Sequence, residues 1–297
     1  MDTERERTFR RPLGANGNIK AISRLLVRHY RSRIRRGTVA KQRAKALRQT
    51  NVNGYSLKEC LKTKSIFVHV PKTAGVSVNK ALYGSLGAGH KTLNDYVLLL
   101  SPSDFLTFFK FTIVRNPWSR VVSAYNFLRE GGFNAVDREF WEQELKQYQT
   151  FESFVKHWLT PVNVRRSVHF KPQCDFVFDY SAHITVDFVC YYENLEQDFA
   201  YLCSQIPAHR EPGHCKLGYN NVGPGGGAAR YTDEYTDETK LMVGEIYAQD
   251  VYTFGYEFAQ QSTNDLSHHR LRDPRIFINR YRDFRAREIN STQQRSI

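Results

Sequence analysis

The sequence lacks the features that would place it outside the globular proteins. Glycine and proline are scarce, with 18 and 10 of 297 residues, which excludes collagen-like and low-complexity chains. Hydrophobic residues make up 41% of the chain, and its length suffices to bury a sizeable core. A long apolar run is also missing, because the best N-terminal candidate, residues 19–27, is interrupted by Lys20 and Arg24. We therefore expect a soluble cytoplasmic protein with neither signal peptide nor transmembrane anchor.

Cysteine is rare as well. The five cysteines are Cys60, Cys174, Cys190, Cys203 and Cys215. No two of them have the C-x-x-C spacing of a metal or redox site. Cys203 and Cys215 lie near His209 and His214, but scattered thiols and surface histidines around a loop explain that grouping better than zinc does. We expect no metal requirement.

Acidic residues are scarce at both ends of the chain. Of a net charge of +13, residues 1–50 contribute +12 and residues 268–297 contribute +5, so the middle of the chain is about −4. A function in the middle must therefore depend on a few placed cations. The basic arm holds only Phe9 and Tyr30 as aromatic residues and no recognised binding motif. We expect no specific nucleic-acid partner, and a nucleic-acid-binding protein acting through its basic ends is the distant alternative.

The charge distribution divides the chain into three parts. Residues 1–54 form a basic N-terminal arm, helical in part or disordered. Arg24, Arg28, Arg31 and Arg35 recur at helical spacing, which is typical of an amphipathic helix that contacts an anionic membrane or an acidic polymer. A solvated arm explains the spacing equally well. Residues 55–260 form the main domain, and residues 261–297 form a basic tail that we predict to be helical. The oligomeric state is not indicated.

Strand and helix patterns alternate in the middle of the chain. Short β-rich apolar runs occupy residues 65–70, 110–115 and 187–191. Each is followed by residues with helical spacing, which predicts an α/β domain with a mainly parallel sheet flanked by helices. We also predict helices over residues 151–158 and 236–254, the second as one long helix capped by Thr236.

A phosphate-binding turn is indicated after the first strand. The residues between strand and helix are Pro71, Lys72, Thr73, Ala74, Gly75, Val76 and Ser77. Backbone N–H groups and the helix dipole favour an anion at such a turn. Lys72 would add a cation, Thr73 and Ser77 hydroxyl donors, and Gly75 a close backbone approach. The G-x-x-x-x-G-K-[ST] sequence is absent, and an ordinary turn is the alternative.

A second anion site is indicated after the second strand. Arg115 ends a buried run, where a guanidinium without an anionic partner would be costly. Ser123 lies about two turns into the next helix and could meet the same anion. Arg120 lies near the start of that helix, against the dipole preference, and a bound anion would relieve the conflict. Two such sites on consecutive strand–helix units fit a ligand with two separated anionic groups.

These two segments resemble those of a known enzyme family. Residues 67–75 with Ser77 resemble the 5′-phosphosulfate loop of sulfotransferases, and residues 113–125 resemble their 3′-phosphate-binding segment. Further similar segments follow in the expected order at residues 90–93, 169–173, 192–195, 235–239 and 254–258. The resemblance covers about residues 65–258. It is greatest to the carbohydrate sulfotransferases that include heparan sulfate 2-O-sulfotransferases and chondroitin-type enzymes, as a soluble member of bacterial type.

The resemblance implies a P-loop NTPase-like sulfotransferase fold, 3′-phosphoadenosine 5′-phosphosulfate as sulfate donor and a carbohydrate hydroxyl as acceptor. It assigns residues to the two ends of the donor: Lys72, Thr73, Ala74, Gly75, Val76 and Ser77 to the 5′-phosphosulfate, and Arg115 and Ser123 to the 3′-phosphate. Arg230 would belong to a segment that closes over the nucleotide. Val76 stands where the family usually has threonine, which removes one hydroxyl contact. A lipid, a small molecule or a protein tyrosine is the alternative acceptor.

Sulfuryl transfer depends mainly on positioning and on neutralising the leaving group. Lys72 is placed to stabilise the departing oxygen. The accepting hydroxyl needs a base, which a histidine provides most readily. His90 is the first candidate and His169 the second, with an acid or no base as the remaining alternative, whereas His69 alternates with apolar residues and is interpreted as structural. Residues that could contact an acidic glycan, or simply form a solvated basic face, are Arg165, Arg166 and Lys171.

Overall fold

The computed structural model describes residues 54–182, 185–206, 208, 217–218, 231–259 and 274–294, with side chains described for residues 275–288 of the last range. Several predictions fall outside these residues: those for the N-terminal arm before residue 54, for His209, His214 and Cys215, and for Arg230.

Three short parallel strands form the centre of the fold. They are β1 (Ser65–Val68), β2 (Phe109–Val114) and β3 (Phe188–Tyr191), adjacent in that order. The register places Phe67 opposite Phe111, and Phe111 opposite Phe188. Nearly every strand residue is buried, as expected for a parallel sheet covered on both faces. The predicted α/β fold with a parallel sheet is confirmed.

In the described part of the chain, helices cover this sheet. They are α1 (Lys58–Thr63), α2 (Gly75–Tyr83), α3 (Leu93–Leu99), α4 (Pro102–Thr107), α5 (Pro117–Arg129), α6 (Ala135–Phe140), α7 (Phe151–His157), α8 (Cys174–Val177), α9 (Leu195–Gln205), α10 (Asp237–Ile246), α11 (Ala248–Phe254) and α12 (Pro274–Gln294). A π-helical turn, Trp141–Leu145, follows α6. Within the described ranges, no helix combines the length and the apolar character needed to cross a bilayer.

The prediction of one long helix over residues 236–254 is wrong. Thr236 does cap its start, in a capping box with Thr239. The helix is interrupted at Tyr247, whose backbone (φ −106°, ψ 21°) separates α10 from α11. Tyr247 is buried, and its hydroxyl donates to the carbonyl of Phe170 at 2.6 Å. Burial of the Tyr247 side chain in the core coincides with the break in the helix. Hydrophobic spacing alone did not indicate this break.

The carboxyl ends of the strands are fixed to one another by side chains that bind backbone. Gln173 accepts from the N–H of Arg115 at 2.9 Å and donates to the carbonyl of Arg115 at 2.8 Å. Glu193, just after β3, accepts from the N–H of Asn116 at 2.7 Å. Asn116 in turn caps α5 by accepting from the N–H groups of Trp118 and Ser119. The start of α5 is therefore held rigidly at the carboxyl edge of the sheet.

The C-terminal segment is more than a basic tail. Phe277 and Tyr281 of α12 are one helical turn apart and buried. Tyr281 stacks on Phe178, with ring centroids 4.2 Å apart, and Phe277 lies 5.8 Å from the ring of Phe254. An apolar stripe on this helix thus packs against the main domain, which the excess of arginine in the sequence concealed.

One cysteine departs from the interpretation of the cysteines as scattered thiols. Cys60, Cys174 and Cys190 are free and buried, whereas Cys203 is disulfide-bonded.

The packing of α12 predicts its contribution to stability. Replacing Phe277 with alanine removes a fully buried ring and should lower the free energy of unfolding by about 3 kcal/mol. Asn279→Ala, on the exposed face of the same helix, should change it by less than about 0.5 kcal/mol. Urea unfolding of both variants checks this. Equal stabilities would show that α12 does not pack on the domain in solution.

Candidate active site

The turn after β1 forms a concave backbone with free N–H groups. Lys72 (φ 70°) and Ala74 (φ 62°) are both in the left-handed region, and successive N–H groups converge in such conformations. Ala74 precedes α2 without a side-chain cap, so the first N–H groups of that helix are not satisfied by a capping side chain. The hydroxyl of Thr73 is buried and donates to the carbonyl of Val70 at 2.8 Å. Its side chain therefore holds the turn and is not free to donate to a ligand.

The ring of His69 leaves no room for a side chain at Gly75. A Cβ atom at this position would lie 1.9 Å from Nε2 of His69. The sequence argument assigned the glycine to a close approach of the ligand, but contact with this ring already excludes any side chain. His69 is buried, stacks on Phe67 with centroids 5.3 Å apart, and lies 3.4 Å from the amide nitrogen of Asn79. These contacts suit its interpretation as a structural residue.

Lys72 extends from this turn over an aromatic ring. Its Nζ lies 3.7 Å from the centroid of the Phe127 ring. Burial, together with the positive charge of Arg115, lowers the pKa of Lys72 to about 8. The ammonium group is therefore destabilised in the free protein, and a nearby anion would restore its charge.

Arg115 is held by three parts of the fold. Its Nε donates to the hydroxyl of Ser119 at 3.0 Å, and an NH1 hydrogen bond reaches the carbonyl of Lys72 at 3.1 Å. Its guanidinium lies 4.2 Å from the ring centroid of Tyr192. Burial lowers the pKa of Arg115. Within the described ranges, no carboxylate makes a salt bridge to Lys72 or Arg115. Asp137 and Glu130 act electrostatically on Lys72, and Glu193 on Arg115, without direct contact.

The remaining predicted donor-binding residues lie on the two helices that start here. Val76 and Ser77 are half-buried in the first turn of α2, and Ser123 is half-buried in α5. Ser119 and Ser123 are four residues apart and share one face of α5. Sequence reasoning missed Ser119, although its spacing of four from Arg115 was a usable signal.

Arg120 does not meet an anion, and that expectation is wrong. Its side chain is fully buried. It donates to the carbonyls of His169 at 3.0 Å and Lys171 at 2.7 Å. Backbone oxygens thus supply the partners that a bound anion was expected to supply, and Arg120 fixes the segment that carries His169.

The two candidate bases lie in one cluster. The ring centroids of His90 and His169 are 6.0 Å apart, and that of His69 is 4.3 Å from His90. Nδ1 of His90 lies 3.3 Å from the carbonyl of His69, and because a carbonyl only accepts, Nδ1 carries the hydrogen and Nε2 the lone pair. Burial and the charge of His169 lower the pKa of His90 to about 4. The ring is therefore neutral at pH 7 and able to take a proton.

A carboxylate that the sequence did not reveal belongs to this cluster. Oδ1 of Asp137 lies 2.9 Å from Nε2 of His169. Burial raises the pKa of Asp137, but hydrogen bonds from His169 and from the N–H of Phe133 outweigh it, and the net shift is downward. Asp137 is therefore ionised. It lies 32 residues before its partner, and no local pattern links the two.

The surface cations proposed for glycan contact already have partners. Arg165 pairs with Asp175 at 3.0 Å and Arg166 with Glu144 at 2.5 Å. Lys171 lies 5.3 Å from the ring centroid of Phe176. Their charges are thus partly compensated. In the described ranges, no group of three or more histidine, cysteine or acidic side chains is arranged to hold a metal ion.

Comparison with known proteins gives two matches. A family model described as "Sulfotransferase family" matches residues 60–257, which is more than half of the chain. An uncharacterized protein of Archaeoglobus fulgidus is 32% identical over 97 residues. That match covers 32% of this chain and 65% of the relative, so it spans less than two thirds of the relative's length. No solved structure matches the chain.

The histidine cluster predicts a loss of stability in mild acid. The pKa values of His69 and His90 are lowered in the folded protein, so between their ordinary value and about pH 4 the unfolded chain binds protons that the folded chain does not. Stability is therefore full above about pH 6.5 and falls as the pH decreases, by about 3 kcal/mol for His90 alone.

His90→Gln should reduce this pH dependence, because it removes one of the two shifted groups. Urea unfolding at pH 7 and pH 4.5 measures it, and His157→Gln, at an exposed position, is the control. An equal loss of stability between pH 7 and pH 4.5 in the wild type and in both variants would contradict the assignment of this loss to His90.

Proposed function

The chain belongs to the sulfotransferase family, and from this we propose that it transfers the sulfuryl group of 3′-phosphoadenosine 5′-phosphosulfate to a hydroxyl of a carbohydrate. The observation that carries the proposal is the pair of cations, Lys72 and Arg115, at the ends of adjacent strands. Both side chains are half-buried, and within the described ranges neither makes a salt bridge, so holding the two charges close together is costly. A ligand with separated anionic groups would compensate both.

The residues present fit such a donor. Lys72 and the N–H groups that begin α2, from Gly75 to Ser77, would hold the 5′-phosphosulfate. Arg115 would hold the 3′-phosphate with the hydroxyls of Ser119 and Ser123. Val76 supplies only its N–H group, because its side chain offers no hydroxyl.

The donor supplies the sulfuryl group when bound. The acceptor hydroxyl gives its proton to Nε2 of His90 while its oxygen bonds to sulfur and the phosphate oxygen of the donor departs. Lys72 neutralises the charge that develops on that oxygen. His90 suits the base because its proton-bearing Nδ1 faces the carbonyl of His69, leaving Nε2 to accept.

The carbohydrate acceptor is supported by the resemblance of the two donor-binding segments to carbohydrate sulfotransferases. A lipid, a small molecule or a tyrosine side chain would use the same donor chemistry, so acceptor profiling belongs to the test. Arg165 and Arg166 form ion pairs, which makes them weak candidates for a glycan contact.

Transfer of labelled sulfate to purified polysaccharides, lipids and tyrosine peptides tests the proposal. Lys72→Ala removes leaving-group stabilisation and should lower kcat/KM on the order of 100- to 1000-fold. His90→Gln should lower kcat by at least about 100-fold. Lys80→Ala, at an exposed position of the same helix α2, is the control. A folded Lys72→Ala variant with wild-type turnover would contradict the mechanism.

Donor affinity should fall in alkaline solution. Because the pKa of Lys72 is about 8 in the free protein, the side chain loses its charge as the pH rises past that value, and the attraction for an anion is lost with it. Binding of adenosine 3′,5′-bisphosphate should weaken about tenfold between pH 7 and pH 9. Calorimetric titration measures it. Lys72→Arg keeps the positive charge at pH 9, so its affinity should not change between pH 7 and pH 9. An equal loss of affinity in that variant would assign the effect to another group.

A further inference from the structure

The buried carboxylate of Asp137 has no role in the transfer step proposed above. This side chain is 11% exposed and accepts two hydrogen bonds, one on each oxygen. Oδ1 faces Nε2 of His169 at 2.9 Å, and Oδ2 faces the N–H of Phe133 at 2.9 Å. Each oxygen thus has a partner, one in the histidine cluster and one in the loop before α6.

The loop is shaped to bring the carboxylate inward. Gly132 has φ +66°, and a Cβ atom there would lie 2.2 Å from Cβ of Asp137. Only glycine allows this approach. The side chain of Asn134 then caps α6 by accepting from the N–H of Asp137 at 3.0 Å. Backbone and side chain of Asp137 are therefore both fixed.

The contact determines which nitrogen carries the hydrogen in the neutral ring of His169. An ionised carboxylate only accepts, so Nε2 of His169 carries the hydrogen and Nδ1 the lone pair. Nδ1 is buried, and no partner for it exists in the described ranges. Arg120 holds the carbonyl of the same residue at 3.0 Å, so the ring is fixed at its backbone as well as at its edge.

The other charged and titratable groups around this ring come from three parts of the fold: the segments that follow β1 and precede α3, and helix α5. His90 precedes α3, with its ring 6.0 Å away; Lys72 follows β1; His69 ends the run that contains β1; and Arg120 belongs to α5. The charge of Asp137 acts on both Lys72 and His90. Glu130, at the end of α5, also acts on Lys72. Asp137 is the carboxylate that makes direct hydrogen-bond contact with the cluster.

We propose that Asp137 is a positioning residue of the transfer site, which fixes the tautomer of His169 and through it offsets the positive charge that His90 acquires. This inference rests on the proposed function, in which the acceptor's proton passes to His90. At that moment an imidazolium forms near the ammonium of Lys72. The ionised carboxylate of Asp137, hydrogen-bonded to His169, acts on His90 and favours its proton uptake.

Asp137→Asn tests this because only one end of an amide, its oxygen, can accept a hydrogen bond, whereas both oxygens of the carboxylate accept one. If the amide oxygen keeps the N–H of Phe133, its NH2 group faces Nε2 of His169, and the ring hydrogen must move to Nδ1. Nitrogen-15 spectra of the imidazole rings show which nitrogen carries the hydrogen. Loss of the negative charge also makes the protonated form of His90 less favourable, so the NMR titration of His90 should move to lower pH by about one unit.

Activity provides the second measurement. In the sulfate-transfer assay, Asp137→Asn should lower kcat about tenfold and leave the KM for the donor within about twofold, with the acid limb of the pH profile moved to lower pH. Asp104→Asn is the matched control, since Asp104 lies in α4 before β2, at the opposite edge of the sheet. Asp137→Glu keeps the charge and should retain the His90 titration even if its longer side chain reduces kcat.

The outcomes separate this inference from the function on which it rests. A wild type without sulfate transfer would overturn the proposed function, while the spectra would still decide whether Asp137 sets the tautomer of His169 and the titration of His90. A folded Asp137→Asn variant with unchanged spectra, an unchanged His90 titration and wild-type kcat would overturn the positioning role alone.

Discussion

The hydrogen bond from Arg115 to the carbonyl of Lys72 holds together two positive side chains that would otherwise repel each other. Parallel pairing brings the residues after β1 and β2 to the same edge of the sheet, and the surrounding polar contacts keep them there. Gln173 and Glu193 bind the backbone of Arg115 and Asn116, so the cations cannot move apart without breaking buried hydrogen bonds. The two cations are thereby held in a fixed arrangement, which is the arrangement on which the proposed donor binding depends.

In the histidine cluster, positive charge on the rings would be unfavourable next to Lys72. Three imidazoles lie close together, and they remain compatible with Lys72 because burial keeps His69 and His90 neutral. The carboxylate of Asp137 supplies negative charge on the far side of His169. The result is a polar region that can take up one proton, next to a region that can bind anions, with the Phe127 ring in contact with both Lys72 and His169.

Much of the fold was predictable from sequence, since the three strands have continuous apolar runs and the helices after them show clear periodicity. The turn between β1 and α2 was predictable because its residues are consecutive, whereas its role in donor binding stays a prediction. The break at Tyr247 was not, as it depends on a hydroxyl that reaches Phe170. Arg120 and Asp137 were missed or misassigned because their partners lie 49 and 32 residues away, and the reason for Gly75 lies in the ring of His69.

Helix α5 presents different polar side chains on different sides. Ser119 and Ser123 share the side on which Arg115 is bound, whereas Arg120 is buried against the backbone of residues 169–171. One helix therefore sets the spacing between the hydroxyls of Ser119 and Ser123 and the histidine cluster. A substitution in the segments around α5 can therefore change what binds beside the cluster while this spacing stays the same.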